Sequence, residues 1–182
     1  GNIYKLMEDI ASKVPPGSQG LLFLPYMRGG GAPHYDPLVR GAFLGMTLAH
    51  KKEHFVRAVY EGIALNTRII FEAFERLGEK INVIYIIGGG ALSSTWRQIF
   101  ADVLGKPIIY PKYVHEAGCL GSAVIGGIGA GVFKDFNIVE KFLKPQGVNK
   151  PNERIHEQYN TIYESFKETV EKLIPVSYTH LR

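Results

Sequence analysis

The chain has 182 residues, of which 46% are hydrophobic and 21% are charged. This composition is typical of one ordinary globular domain, and it excludes a disordered tail, a collagen-like rod and a low-complexity linker. The formal net charge of +4 arises from scattered basic residues, so charge alone does not indicate a nucleic-acid-binding protein.

The single cysteine, Cys119, excludes an intrachain disulfide and a cysteine-based zinc site. We expect a reducing, cytoplasmic location, with Cys119 buried as a small hydrophobic residue. The longest weakly polar run, residues 119–133, is shorter than the ~20 residues that span a bilayer. We therefore expect a buried helix there, and neither a membrane nor a nucleic acid as a partner.

Both ends of the chain suggest a fragment. Position 1 is Gly, and residues 176–182 follow Pro175 without continuing any pattern. Such a tail is typical of translated vector sequence. We expect residues 1–175 to form one domain of a longer protein and residues 176–182 to be non-native.

The hydrophobic periodicity predicts strands that alternate with helices. In chain order the predicted elements are a helix over 2–13, a strand over 21–24, a Gly- and Pro-rich loop over 28–37, a strand over 41–46, a helix over 51–77, a strand over 83–87, a helix over 93–104, a strand over 107–110, a helix over 116–131, a polar loop over 135–152 and a helix over 153–174. This order predicts an α/β domain whose sheet is parallel in its second half.

The strongest chemical motif is Gly88-Gly89-Gly90-Ala91, between a predicted strand and a helix that Ser93 or Ser94 can cap. Glycines there let a ligand approach backbone N–H groups, and the helix dipole favours an anion such as a phosphate. The motif is not a P-loop, because no Lys-Ser or Lys-Thr pair follows. It is also a poor dinucleotide fingerprint, because Ser93 occupies its third glycine position. A purely structural turn is the equal alternative.

Other features have competing interpretations. The small residues after Glu116 allow either close helix packing or the approach of a nucleotide. Trp96 is predicted to pack in the core, whereas His50 and His54, near the start of the helix over 51–77, are expected to form a solvated face and caps. His34 lies near Asp36, but no further ligand supports a metal site, so we predict none.

Several stretches carry a resemblance to one family. They are Leu21-Leu22-Phe23-Leu24-Pro25-Tyr26, Pro33-His34-Tyr35-Asp36-Pro37, Gly41-Ala42-Phe43-Leu44-Gly45-Met46, Ala58-Val59-Tyr60-Glu61, Gly88-Gly89-Gly90-Ala91, Ala101-Asp102-Val103-Leu104-Gly105 and Glu116-Ala117-Gly118. The chain resembles the C-terminal, nucleotide-binding domain of the FGGY carbohydrate kinases, most closely the xylulose kinase branch. The long motif from Gly41 to Glu61 is specific for this family, whereas the glycine motif alone is not.

The resemblance implies an actin-like ATPase, RNase H-like domain with a mixed sheet flanked by helices. It also implies that ATP and Mg²⁺ lie between this domain and an N-terminal sugar-binding domain that is absent here. If the family's binding residues are transferred to the matching positions of this sequence, Gly89, Gly90 and Ala91 would line the nucleotide phosphates. Ser94 and Gln98 would lie near the adenosine. The catalytic base would belong to the absent domain, so we assign no catalytic residue and expect the fragment alone to be inactive.

The resemblance favours D-xylulose as the phosphate acceptor but leaves ribulose, gluconate and glycerol open. Gly29-Gly30-Gly31-Ala32-Pro33-His34 replaces the family's common Gly-Glu-Arg-Thr-Pro-His stretch, which bears on the identity of the sugar. A non-catalytic nucleotide-binding or assembly module of the same fold is the alternative from another functional class of protein. An NAD-dependent oxidoreductase is a weaker one, and a homodimer is left open.

Overall fold

The structure is a computed structural model that describes residues 2–33 and 35–177. Its elements are α1 (Ile3–Ala11), β1 (Leu22–Leu24), β2 (Ala42–Leu44), α2 (Lys52–Arg76), β3 (Ile84–Tyr85), α3 (Ser94–Leu104), β4 (Ile108–Pro111), α4 (Ala117–Gly129), α5 (Val139–Phe142), β5 (Pro145–Asn149) and α6 (Glu153–Ser177). The α/β class is confirmed, and every predicted helix and strand is present within a few residues of its predicted bounds.

Local signals explain where the central helices begin and end. The hydroxyl of Ser93 accepts a hydrogen bond from the Trp96 N–H at 3.1 Å and caps α3, while Gly105, with a φ of 63°, ends it. At the start of α2, His54 Nδ1 accepts from the Lys51 N–H at 3.0 Å. The expected capping role of His54 is confirmed, but the residue is buried, so the expectation of a solvated face is wrong for it.

The strands form two small sheets. β1 pairs with β2 in antiparallel fashion, with Phe23 opposite Phe43. The second sheet has the order β3-β4-β5, in which β3 and β4 are parallel and β4 and β5 are antiparallel. The sheet is therefore mixed, and the predicted parallel arrangement holds only for β3 and β4.

The polar loop predicted over 135–152 is partly wrong, because it contains α5 and β5. β5 pairs Val148 with Ile109 and Asn149 with Ile108. Pro145 and Gly147 are poor strand formers, so the sequence pattern does not indicate a strand. Pairing with β4 supplies the hydrogen bonds that local propensity does not favour.

The main core lies where α6 packs across α2 and α3. Three aromatic side chains of α6, those of Tyr159, Tyr163 and Phe166, are fully buried there. α2 and α3 contribute apolar residues at helical spacing to the same cluster, as an amphipathic pattern predicts: Tyr60, Ala64, Leu65, Ile99 and Val103.

The expectation of a buried helix over 119–133 is wrong. Val124 is the only buried residue of α4, and Cys119 is exposed. Ile125, Val132 and Phe136 are 65%, 72% and 64% exposed. An apolar composition predicts that a helix needs a partner, but within residues 2–33 and 35–177 little packs on this one.

The last helix extends further than predicted. α6 continues through Pro175 to Ser177, whose hydroxyl accepts from the Arg40 N–H at 3.4 Å. Residues 176 and 177 thus belong to the helix, and the non-native origin of the tail stays a prediction. His34 and residues 178–182, which carry parts of our predictions, lie outside the described residues. In the part of the chain that is described, no helix has the length and apolar content needed to cross a membrane.

Candidate functional site

The glycine motif forms a sharp turn at the end of β3. Gly88 has φ 77° and ψ −170°, a conformation that is essentially restricted to glycine. Its N–H donates to the Val114 carbonyl at 2.8 Å, and its own carbonyl accepts from the Ala91 N–H at 3.0 Å. In the described chain, no hydrogen bond engages the N–H groups of Gly89 and Gly90. The turn therefore presents two backbone donors that a ligand can use.

A cavity of about 740 Å³ opens over this turn, between α1 and the start of α3. Its lining is partly apolar and partly polar, and includes Tyr4, Lys5, Met7, Gly89, Gly90 and Trp96. A concave site with an apolar wall and a few placed polar groups is the usual form of a small-molecule site.

Trp96 forms the apolar wall. Its ring stacks on Tyr60, with centroids 4.9 Å apart and an interplanar angle of 15°, and its Nε1–H donates to the Tyr60 carbonyl at 3.2 Å. The prediction that Trp96 packs against the core is confirmed, but the residue also faces the cavity. A Cβ added at Gly90 would lie 2.9 Å from the indole ring, whereas one at Gly89 would meet nothing within 4 Å.

Arg97 holds the turn in place from behind. Its guanidinium donates to the Ala91 carbonyl and, at 3.0 Å, to Asn149 Oδ1 on β5. It also stacks 3.8 Å from the ring centroid of Tyr110 on β4. One buried side chain thus joins the glycine turn to two strands.

Glu8 of α1 reaches the start of α3. Its Oε1 accepts from the Ser94 hydroxyl at 2.8 Å and from the Thr95 N–H at 3.0 Å. Burial raises the pKa of Glu8, but the hydrogen bonds from Thr95 and Ser94 outweigh it and leave the pKa lowered. The carboxylate therefore occupies the position at this helix terminus that an anion would favour.

The structure does not bring all five predicted nucleotide residues to one cavity. Gly89 and Gly90 line the cavity described above, and Ala91 is buried behind them. Ser94 and Gln98 instead line a second cleft, of about 600 Å³. The amide of Gln98 donates to Asp102 and to the Lys150 carbonyl, both at 2.9 Å, so it is already engaged.

Sequence reasoning missed Glu8 and gave Arg97 no role. Glu8 is 86 residues from Ser94, and no local pattern connects a carboxylate on one helix to the terminus of another. Arg97 stands directly after Trp96 in the sequence, but its partner Asn149 lies on the unpredicted strand β5.

The buried glutamate of α2 serves structure rather than catalysis. Glu61 accepts hydrogen bonds from the Gly17 N–H at 2.9 Å, the Ser18 hydroxyl at 2.8 Å, the Arg57 guanidinium at 2.7 Å and the Tyr159 hydroxyl at 2.7 Å. Burial, followed by the charge of Glu61, raises the pKa of Tyr159 far above its usual value. Both oxygens of Glu61 are engaged, so it is a poor candidate for a general base.

Residues 1–130 match the sequence profile of the FGGY family of carbohydrate kinases, C-terminal domain. The chain is 35% identical to a gluconokinase from Bacillus subtilis over 98% of this chain and 34% of that protein. It is 38% identical to a xylulose kinase from Staphylococcus epidermidis over 88% of this chain and 33% of that protein.

Among solved structures, the ligand-bound xylulose kinase from Lactobacillus acidophilus superposes with a TM-score of 0.82 at 30% identity, covering 92% of this chain and 34% of the other. The chain therefore belongs to the FGGY family of carbohydrate kinases and has their actin-like ATPase fold. It spans about a third of the length of the relatives it matches.

Proposed function

We propose that this chain is the nucleotide-binding part of an ATP-dependent carbohydrate kinase. The observation that carries the proposal is the cavity over Gly89 and Gly90, whose two N–H groups have no acceptor in the described chain. Family membership gives this cavity its meaning, because a kinase must hold a phosphate donor. Ser94 and Gln98 remain proposed neighbours of the adenosine.

The reaction would transfer the γ-phosphate of ATP to a carbohydrate hydroxyl. Phosphoryl transfer depends on positioning and on stabilising charge around the phosphate, which backbone N–H donors provide. We assign no side chain of this cavity as the general base. We propose that the base belongs to the rest of the protein. The acceptor would be D-xylulose, although the similar gluconokinase keeps gluconate open.

Mg²⁺ is part of the proposal, but we assign it no ligand from this chain. The described residues contain no group of three or more carboxylate, histidine or cysteine side chains that would hold a metal ion. Coordination would then depend on nucleotide phosphates and on residues elsewhere. A cytoplasmic location belongs to the same proposal and is supported by the low cysteine content.

The exposed apolar surface of α4 and of the residues after it supports the proposal that a further domain covers it. Ile125 on α4 and Val132 and Phe136 after it are well exposed, and beyond the helix's own backbone nothing lies within 4 Å of a Cβ placed on Gly118 or Gly121. Surfaces of this kind commonly mark sites of interaction. Because the relatives are about three times longer, we propose the N-terminal part of the polypeptide as the partner.

Nucleotide binding can be tested with Gly89→Val. We expect this variant to lower the affinity for Mg-ADP by about tenfold, because its side chain narrows the cavity while the fold is unaffected. Trp96 is the only tryptophan of the sequence and lines the cavity, so its fluorescence reports binding directly.

Gly126→Val, in open space on α4, is the matched control and should bind like the wild type. The proposal fails if Mg-ADP leaves both the Trp96 fluorescence and the amide resonances of Gly89 and Gly90 unchanged at millimolar concentration. Binding that Gly89→Val does not weaken would place the nucleotide elsewhere.

The isolated chain is expected to show no kinase activity, because it lacks the proposed base. A coupled ADP-release assay with D-xylulose, ATP and Mg²⁺ measures this, with a complete xylulose kinase as the positive control. Turnover above background would show that this chain is catalytically sufficient, contrary to the proposal.

A further inference from the structure

Helix α1 is held loosely by apolar packing. Ala11 is its only buried residue, while Ile3, Tyr4 and Leu6 are more than half exposed. The two hydrogen bonds that join α1 to α3 in the described chain both end on Oε1 of Glu8. Glu8 therefore provides the hydrogen-bonded link between α1 and α3, beside the packing of Ala11 in the main core.

The same helix forms one wall of the cavity over the glycine turn. Tyr4, Lys5 and Met7 line it from α1, facing Gly89 and Trp96 on the other side. Glu8 itself is also part of the lining. The width of the cavity thus depends on the position of α1 relative to α3, and the two hydrogen bonds of Glu8 connect these helices at the cavity.

Glu8 also decides which donors remain available. The Ser94 hydroxyl and the Thr95 N–H both point to its Oε1, and Ser93 accepts the Trp96 N–H. The start of α3 is therefore satisfied from within the protein. A phosphate entering the cavity finds free donors on the glycine turn rather than on α3.

We propose that Glu8 is a positioning residue for the nucleotide: it anchors α1 as a wall of the cavity and directs the phosphates to the glycine turn. This role rests on the proposed function, because it concerns the same cavity. It is distinct from ligand contact, since Glu8 acts through α1 and through the terminus of α3.

The experiment compares Glu8→Ala with Glu8→Gln in the 182-residue chain. Glu8→Ala is expected to weaken Mg-ADP binding by about tenfold, because an unanchored wall must be ordered when the ligand binds. It should also accelerate hydrogen exchange at the Thr95 amide. Glu8→Gln keeps an acceptor oxygen for both hydrogen bonds and should restore most of the affinity and of the protection.

Two controls separate positioning from general destabilisation. Glu168→Ala removes an exposed carboxylate of α6, which pairs with Lys172 away from the cavity, and should change neither measurement. Val170→Ala cuts into the core on α6 and should lower the melting temperature without weakening Mg-ADP binding.

The outcomes distinguish this role from the proposed function. If the wild-type chain does not bind Mg-ADP, the proposed function and the positioning role both fail. If the wild type binds and Glu8→Ala binds equally well, the positioning role alone is overturned. An equal loss of affinity in Val170→Ala also overturns it, because Glu8 would then act only through global stability.

Discussion

Replacing Glu61 with alanine is expected to lower the free energy of unfolding by about 3–5 kcal/mol, the cost of leaving a buried charge without its partner. Glu61 is 3% exposed and Arg57 is 8% exposed. The substitution leaves Arg57 unpaired and removes the acceptor that holds the Gly17–Ser18 turn and the Tyr159 hydroxyl. Urea denaturation followed by circular dichroism measures the change.

Glu75→Ala is the matched control, since Glu75 also lies on α2 and pairs with Lys106 at 3.0 Å near the surface. We expect it to cost about 0.5 kcal/mol. The double variant Arg57→Met/Glu61→Leu should recover only the part of the loss that comes from the unpaired charge of Arg57. The Gly17 N–H and the hydroxyls of Ser18 and Tyr159 still lack their acceptor in this variant. A Glu61→Ala cost no larger than that of Glu75→Ala would show that the buried pair contributes little.

Gly62→Ala is expected to destabilise the chain by about 3 kcal/mol through overpacking. A Cβ at Gly62 would lie 2.1 Å from the carbonyl oxygen of Phe23. Because the clashing atom of Phe23 belongs to the backbone, α2 and β1 must separate to admit the methyl group. The same denaturation experiment applies.

Gly126→Ala makes the identical change inside α4, where a Cβ meets nothing within 4 Å. There alanine should stabilise by about 0.5–1 kcal/mol, because it lowers the backbone entropy that the unfolded chain loses on folding. If Gly62→Ala were as benign as Gly126→Ala, α2 and β1 would not be in close contact.

Glu61→Ala and Gly62→Ala both change α2, which also supports the candidate site. Tyr60 lies one residue from Glu61 and two from Gly62, and its ring stacks against Trp96 at the cavity wall. Displacing α2 from β1 would move this support. A variant that remains folded should therefore show altered Trp96 fluorescence even without nucleotide.

The amino-acid sequence by itself determined the features that short-range physics controls. The Ser93 cap, the Gly105 terminus of α3 and the glycine turn after β3 follow from backbone conformations and hydrogen bonds between near neighbours. Amphipathic spacing likewise placed α2 and α6 in the core. Shared motifs identified the family, which the comparisons confirmed.

Only the tertiary structure decided what depends on contacts between distant segments. β5 forms because β4 offers it hydrogen bonds, and α4 is exposed because little in the described chain covers it. Glu8 meets Ser94 across 86 residues, and Ser94 and Gln98 face a different cleft from Gly89. Local patterns record how a segment folds on itself, whereas the place of a side chain in a site depends on which other segments pack beside it.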